Sequence, residues 1–280
     1  MNYFQAINYG AKILKCKNFL NYNLDSELLL SNVLKLEREE LLINLDKEIY
    51  GKSFNYFKKL INRRIKREPI AYILKKKEFW KYKFYVNKNV LIPRPETELI
   101  VEEALKITDP YCSKSILDVG TGSGCIIISL LKERPNLRGK AIDISKKAIK
   151  TAEYNAKMHH LENKICFINI DIDKFKDNKY DLIVSNPPYI KKFDLMRLDK
   201  NVKFFEPRIA LEAGIDGFSK IKKLILKSKS LLKRNGRLIL EIGKNQTEFS
   251  KNFLNMNGFY INKVSKDLQS LPRVIVTTKL

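Results

Sequence analysis

Asn186, Pro187, Pro188 and Tyr189 are consecutive in this chain, and together they define a chemistry. Neither proline carries a backbone N–H, and each holds φ near about −65°, so the loop is stiff and its carbonyls are free. A side-chain amide, an outward carbonyl and an aromatic ring suit a planar acceptor that carries an NH2 group. The Asn186 side-chain oxygen and the Pro187 carbonyl can each accept one N–H while Tyr189 stacks on the plane. Pro and Asn are also ordinary turn residues, so by themselves these four also read as the end of a strand beside a buried Tyr.

A second group lies upstream, Asp118-Val119-Gly120-Thr121-Gly122-Ser123-Gly124-Cys125. It follows Ser115-Ile116-Leu117 and leads into Ile126-Ile127-Ile128, which reads as strand, glycine loop and helix. Glycines let backbone approach a ligand closely, and a helix N-terminus presents free N–H groups. A dinucleotide loop would require G-x-G-x-x-G. Here the third glycine comes one residue early, which suits a ligand without a pyrophosphate. Further on, Lys140-Ala141-Ile142-Asp143 reads as a strand ending in an acid, and a carboxylate there can take both hydroxyls of a ribose. Asp171 and Asp173 follow a third strand, Cys166 to Ile170, where a carboxylate can meet an adenine amino group. Asp171 is favoured because it is nearer the strand end.

The elements that must position these groups are legible too. Tyr180-Asp181-Leu182-Ile183-Val184 is a short, β-branched, apolar run, as a buried strand would be. All the candidate residues then fall at the carboxyl ends of parallel strands, where open α/β sheets bind ligands. A helix from Lys146 to about Met158, a strand at Leu238 to Ile242, and two last strands at Phe259 to Val264 and Val274 to Thr278 complete that sheet. Residues 1–75 read as a helical bundle for substrate docking, with Asp25 as an N-cap and Phe57, Leu60, Ile61 and Ile65 on one face. Residues 76–92 read as a β-hairpin linker turning at Asn87-Lys88-Asn89, and residues 93–280 as the catalytic domain. Pro93-Arg94-Pro95-Glu96-Thr97-Glu98 reads either as a proline-led helix entry or as a wall of the site.

Composition bounds the rest. A chain of 280 residues can bury a full core. The formal charge of +23 invites an anionic partner, but lysines spread through a chain rich in Asn, Ile, Tyr and Phe also fit an AT-rich coding sequence. The histidines, His159 and His160, are adjacent, and Cys16, Cys112, Cys125 and Cys166 form no C-x-x-C pair. This argues against a zinc site, and no metal is expected; a Ser/His/Asp triad is disfavoured as well. No apolar run approaches the roughly 18 residues of a membrane span. Tyr3, Phe4, Ile7, Ala11 and Leu14 recur at helical spacing without Arg or a cleavage site, so the amino terminus reads as a structural helix and the location as cytoplasmic.

Taken together, these motifs resemble the S-adenosylmethionine-dependent methyltransferases with a Rossmann-like sheet. More narrowly, the chain is similar to the release factor glutamine methyltransferases. The resemblance runs through Leu24–Leu30, Glu68–Tyr72, Ile92–Glu98, Asp118–Gly124, Ser185–Ile190 and Phe205–Leu211. It implies an α/β fold with a mixed seven-stranded sheet behind a small helical domain. It also implies S-adenosylmethionine as methyl donor, S-adenosylhomocysteine as product, and methylation of the Gly-Gly-Gln glutamine of peptide chain release factors at N5. The implied cofactor residues are Asp118, Gly120, Thr121, Gly122, Ser123, Gly124, Asp143, Asp171 and Asn186. Asn186, Pro187, Pro188 and Tyr189 would hold substrate, with Asn186, Pro187 and Tyr189 serving catalysis. Nucleic acid is not required, no membrane is involved, and a monomer is expected. The alternatives are glutamine methylation of a ribosomal protein and adenine N6 methylation of nucleic acid. The chain departs from the family pattern in three places. Lys75 replaces a usual glycine, Asp171-Ile172-Asp173 lacks a usual aromatic, and Asp267 to Arg273 lacks another usual glycine.

Overall fold

The computed structural model describes residues 1–111 and 113–280, so Cys112 lies outside the described residues. The chain divides into two compact units, residues 1–75 with 200–205, and residues 76–199 with 206–280.

The first unit is helical: α1 (Tyr3–Cys16), α2 (Tyr22–Leu34), α3 (Arg38–Ile43), α4 (Gly51–Ile65) and α5 (Ile70–Leu74). Asn2 and Gln5 close a reciprocal capping box on α1, which satisfies donors that a helix start leaves open. The expected apolar face of α4 is buried through Phe57, Leu60 and Ile61, packed with Leu14, Leu29, Leu30 and Leu41. Asp25 does not cap α2. The helix already begins at Tyr22, and Asp25 is buried in its first turn, paired with Arg64 at 2.6 Å. A buried carboxylate gains more from a guanidinium than from a local N–H, and the Arg64 guanidinium also lies 4.2 Å over the Phe19 ring.

The second unit opens with an antiparallel hairpin, β1 (Lys76–Phe79) and β2 (Tyr82–Tyr85). The hairpin connection is Trp80-Lys81, with Trp80 at φ +57°; the turn expected at Asn87-Lys88-Asn89 does form, closed by Val90 N donating to the Asn87 carbonyl at 3.1 Å, but it follows β2 and joins no strands. The early turn sets Phe79 and Phe84 edge to face at 6.1 Å, both buried. Burial of the two aromatic rings fixes where the strands pair, while the asparagines turn the chain beyond them. Asn87 also ties its own loop by accepting from Asn89 N at 2.8 Å.

Beyond a 3-10 turn at Pro95–Thr97 come α6 (Glu98–Ile107), β3 (Ser115–Val119), α7 (Cys125–Glu133), β4 (Arg138–Asp143), α8 (Lys146–Met158), β5 (Ile165–Asn169) and β6 (Tyr180–Ser185). Then follow α9 (Lys200–Phe205, grouped with the first unit), α10 (Ser219–Leu231), β7 (Leu232–Glu241), α11 (Thr247–Met256), β8 (Phe259–Lys266) and β9 (Pro272–Lys279). Among the described residues these strands build the expected mixed seven-stranded sheet, in the order β5-β4-β3-β6-β7-β9-β8. Only β9 runs against its neighbours. Alternate residues feed opposite faces: Ile116 and Val184 pack with Ile127 and Ile100, while Leu117 and Ile183 pack with Leu224 and Ile225. Covered on both sides, the central strands need the continuous apolar runs seen in the sequence.

The strand order reverses between β3 and β6, which creates the crevice in which open α/β sheets place ligands. The register aligns the strand ends there. Val119 pairs with Ile142 and Ser185, and Ser185 pairs with Leu240. Gly120, Asp143, Asn186 and Glu241 therefore emerge at one edge of the sheet.

Two departures from the family glycines have a backbone counterpart. Lys75 ends α5 in the left-handed region at φ +56°, and Ser270 sits at φ +61° within Asp267–Arg273. Both non-glycine residues keep a conformation that glycine adopts without penalty.

Candidate active site

The cleft at this edge has one wall built by the glycine loop. Gly120, Gly122 and Gly124 have φ of +74°, +57° and +81°. Gly120 N and Thr121 N donate to the Ile142 carbonyl at 2.9 and 3.1 Å, pinning the loop to β4. At Gly124 a side chain is also excluded by packing, since an added Cβ would come within 2.9 Å of Ile128 and 3.2 Å of Ala152. The loop thus reaches α7 with its first N–H groups next to the cleft, where Cys125 and Ile126 form part of the lining. Cys125 itself is inert at neutral pH, because burial pushes its thiol up to about 12.

Asp118 lies beneath the loop and is fully buried. Its Oδ2 accepts from Thr121 Oγ1 at 2.7 Å, and its Oδ1 has no partner. Burial pushes its carboxyl up to about 7 against the opposing Thr121 bond, with the nearby Asp143 charge adding to the rise. Asp143 ends β4 and is held on both oxygens, by Ser145 N at 2.8 Å and Gly122 N at 3.0 Å. Burial raises its pKa and those two N–H groups oppose the rise. Each oxygen keeps a lone pair for a further donor.

Asp171 and Ile172 line the cleft, whereas Asp173 turns to pair with Lys223 at 2.5 Å and donates its own N–H to Asp171 Oδ1 at 2.9 Å. Asn186, Pro187 and Pro188 line the opposite wall beside Pro93, Arg94 and Thr97. The Asn186 Nδ2 donates to Thr97 Oγ1 at 2.9 Å, which leaves Oδ1 as the acceptor on the cleft side. Tyr189 lies just past this lining, with its ring against Gly243. A Cβ on Gly243 would come within 2.9 Å of the ring. Gln246 braces the same corner by accepting from Gly243 N at 2.9 Å and donating to the Gly217 carbonyl at 2.8 Å. Burial, with the Glu241 carboxyl nearby, lifts the Tyr189 hydroxyl to about 12.

Residues 96–202 match the model of the "Methyltransferase small domain" family, and residues 5–74 match that of the "PrmC N-terminal domain". A release factor glutamine methyltransferase of Clostridium acetobutylicum is 37% identical over 277 residues, covering 98% of this chain and 97% of the relative. This chain belongs to the release factor glutamine methyltransferase family. A bifunctional methyltransferase of Rickettsia felis is 40% identical over 281 residues, covering 90% of the chain but 53% of the relative, so the chain spans about half the length of that protein. Among solved structures, a ribosomal protein L11 methylase of Lactobacillus delbrueckii matches at 22% identity and a TM-score of 0.48, over 66% of this chain and 78% of that one.

For this member of the release factor glutamine methyltransferase family, the fold gathers most of the residues singled out in the sequence. Gly120, Thr121, Gly122, Ser123, Asp143, Asp171, Asn186, Pro187 and Pro188 share one cleft. Sequence reasoning missed how the loop around Asn186 is supported. Arg94 Nη2 and Glu206 Oε1 pair at 2.5 Å, and Glu206 Oε2 accepts from Ile92 N at 3.2 Å. The two Pro-Arg-containing stretches, read as separate motifs, are thus one half-buried clamp. Glu241 gave no signal beyond ending an apolar strand; its side chain proves fully buried.

Proposed function

We propose that this protein transfers the methyl group of S-adenosylmethionine to the side-chain amide nitrogen of the glutamine in the Gly-Gly-Gln motif of peptide chain release factors. The orientation of Asn186 carries this reading. With Nδ2 committed to Thr97, a carbonyl oxygen faces the cleft next to Pro187, and such an acceptor pair recognises a primary amide.

The residues present fit the methyl donor. Asp143 keeps lone pairs for two ribose hydroxyls, Asp171 offers an acceptor for an adenine amino group, and the backbone of Gly120 to Gly124 admits close approach. The buried, unpartnered Asp118 Oδ1 would be satisfied by a cationic amine. When bound, S-adenosylmethionine supplies an electrophilic methyl group on a sulfonium.

This chain's residues then have a positioning task. An amide nitrogen is a poor nucleophile because its lone pair is delocalised into the carbonyl. Acceptance of its two hydrogens by Asn186 Oδ1 and the Pro187 carbonyl fixes the nitrogen and enriches it electronically. Tyr189, protonated across the working range, holds the amide plane by stacking. Orientation of this kind can lower a barrier by roughly 7–11 kcal/mol, and fixed dipoles add to it. No strong base is needed, since the proton is far more acidic once the nitrogen has been alkylated. The helical unit of residues 1–75 is assigned the docking of the release factor.

The test is transfer of labelled methyl from S-adenosylmethionine to a release factor, to ribosomal proteins and to unmethylated DNA, with mass spectrometry of the product. Label on the Gly-Gly-Gln glutamine, lost in Asn186→Ala while calorimetric cofactor affinity stays within a few-fold, is the expected result. Label on DNA or on a ribosomal protein instead would replace this substrate.

A further inference from the structure

Behind the Asn186–Thr97 hydrogen bond lies a carboxyl group that the proposed chemistry does not use. Glu241 ends β7 one residue past Leu240, the partner of Ser185, so it is the strand-end neighbour of Asn186. Its side chain is buried beside the Thr97 hydroxyl, and its Oε2 has no hydrogen-bond partner. Thr97 is itself buried. An unpaired buried carboxyl oxygen costs stability and calls for an explanation.

We propose that Glu241, acting through Thr97, is a positioning residue that sets which end of the Asn186 carboxamide faces the substrate. This deepens the reading of the site as an amide methyltransferase and rests on it. A hydroxyl has one proton to give. When Glu241 is ionised it can only accept, so Thr97 donates to it and must accept from Asn186. Only Nδ2 can supply that bond, and Oδ1 is forced toward the cleft. When Glu241 is protonated it can donate to Thr97, whose own proton is then released toward Asn186. The carboxamide is free to turn over, presenting Nδ2 to a substrate amide that also offers hydrogens, and recognition fails. The competent form is therefore the carboxylate.

Several groups decide when Glu241 is ionised. Glu96, on the same turn as Thr97, disfavours its charge, while Arg94 before that turn and Arg273 on β9 favour it. Arg273 is itself held by Asp267 at 2.7 Å. The neutral Tyr189 hydroxyl faces it from the loop after β6. Burial outweighs the arginines, and the carboxyl is lifted to about 7, so the switch falls within the range of an ordinary assay.

The test compares pH profiles of release-factor methylation for the wild type, Glu241→Gln, Thr97→Val and Thr97→Ser. Wild-type kcat should rise as pH increases through about 7. Glu241→Gln and Thr97→Val should lower kcat about 10- to 100-fold and lose that limb, whereas Thr97→Ser keeps it. Cofactor affinity should change less than about three-fold in all, which a general collapse of the site would not allow. Infrared difference spectra of the cofactor-free protein should contain a carboxyl band that titrates near the same pH, is absent in Glu241→Gln and survives in Asp118→Asn. Wild-type methylation with the same kcat and pH limb in Glu241→Gln overturns this proposal alone. Failure of the wild type to label any release factor overturns the functional reading and this proposal with it.

Discussion

Arg94 and Glu206, far apart in the chain, meet as an ion pair at 2.5 Å in which the carboxylate is 1% exposed. Because Glu206 also accepts from the Ile92 backbone, it locks the segment that delivers Thr97 to Asn186. The pair is thus the mechanical support of the amide-binding wall.

Glu206→Ala leaves the Arg94 guanidinium and one backbone N–H without their acceptor. Breaking a buried pair costs 3–5 kcal/mol, but Arg94 is 31% exposed, so solvent screening reduces the expected loss to about 2 kcal/mol. Urea unfolding measures it. Methyl transfer should fall with little change in cofactor affinity, because the segment faces the substrate side.

Asp143→Ala removes the carboxylate proposed to accept the ribose hydroxyls and also frees Gly122 N and Ser145 N. Cofactor affinity should weaken about 10- to 100-fold, read by calorimetry with S-adenosylhomocysteine. Unchanged affinity would remove Asp143 from the ribose site.

Tyr189→Phe should keep most activity, since the hydroxyl stays protonated up to about pH 12 and stacking needs only the ring. Tyr189→Ala should lose it, and Gly243→Ala should lower it by pushing the ring from a contact that leaves 2.9 Å for a Cβ. Equal activity of the Ala and Phe variants would assign the ring to packing alone.

Asp118 titrates at about 7 in the fold because it is buried, above its unfolded value of about 4. A raised carboxyl pKa means that the native state holds the proton more tightly. The resulting stability is fully present below about pH 4 and is lost as pH rises through about 7. Asp118→Asn stays neutral at every pH. Its stability relative to wild type should therefore improve between pH 5 and pH 8, by up to a few kcal/mol, in paired urea titrations of the cofactor-free protein. A difference independent of pH would show that Asp118 remains ionised throughout.

Lys75 and Ser270 hold left-handed backbone without being glycine. Ser270→Gly should raise stability by about 0.5–1 kcal/mol, visible as a higher urea midpoint with unchanged methyl transfer. Lys75→Gly should behave alike at the end of α5.

Local signals carried much of this protein into view. The apolar runs at Ile116, Ile183 and Leu238 require strands covered on both faces, and they formed the centre of the sheet. The glycine loop, Asp143 and the Asn186 stretch were legible because each depends on neighbours in sequence: backbone freedom, a strand end, a pair of prolines. By itself, then, the sequence determined the class of sheet, the strand ends that carry the site and the side chains offered there. What it left open were decisions made between distant residues. Asp25 reads as a helix cap until Arg64 arrives across the bundle. Asn87-Lys88-Asn89 reads as the hairpin connection until Phe79 and Phe84, packed edge to face, place that connection at Trp80-Lys81. The direction of the Asn186 amide depends on Thr97, and through it on Glu241, residues that local spacing does not bring together. Only the tertiary structure decides these, because burial strengthens a polar partner that water would otherwise replace, and which partner is buried alongside depends on the whole fold.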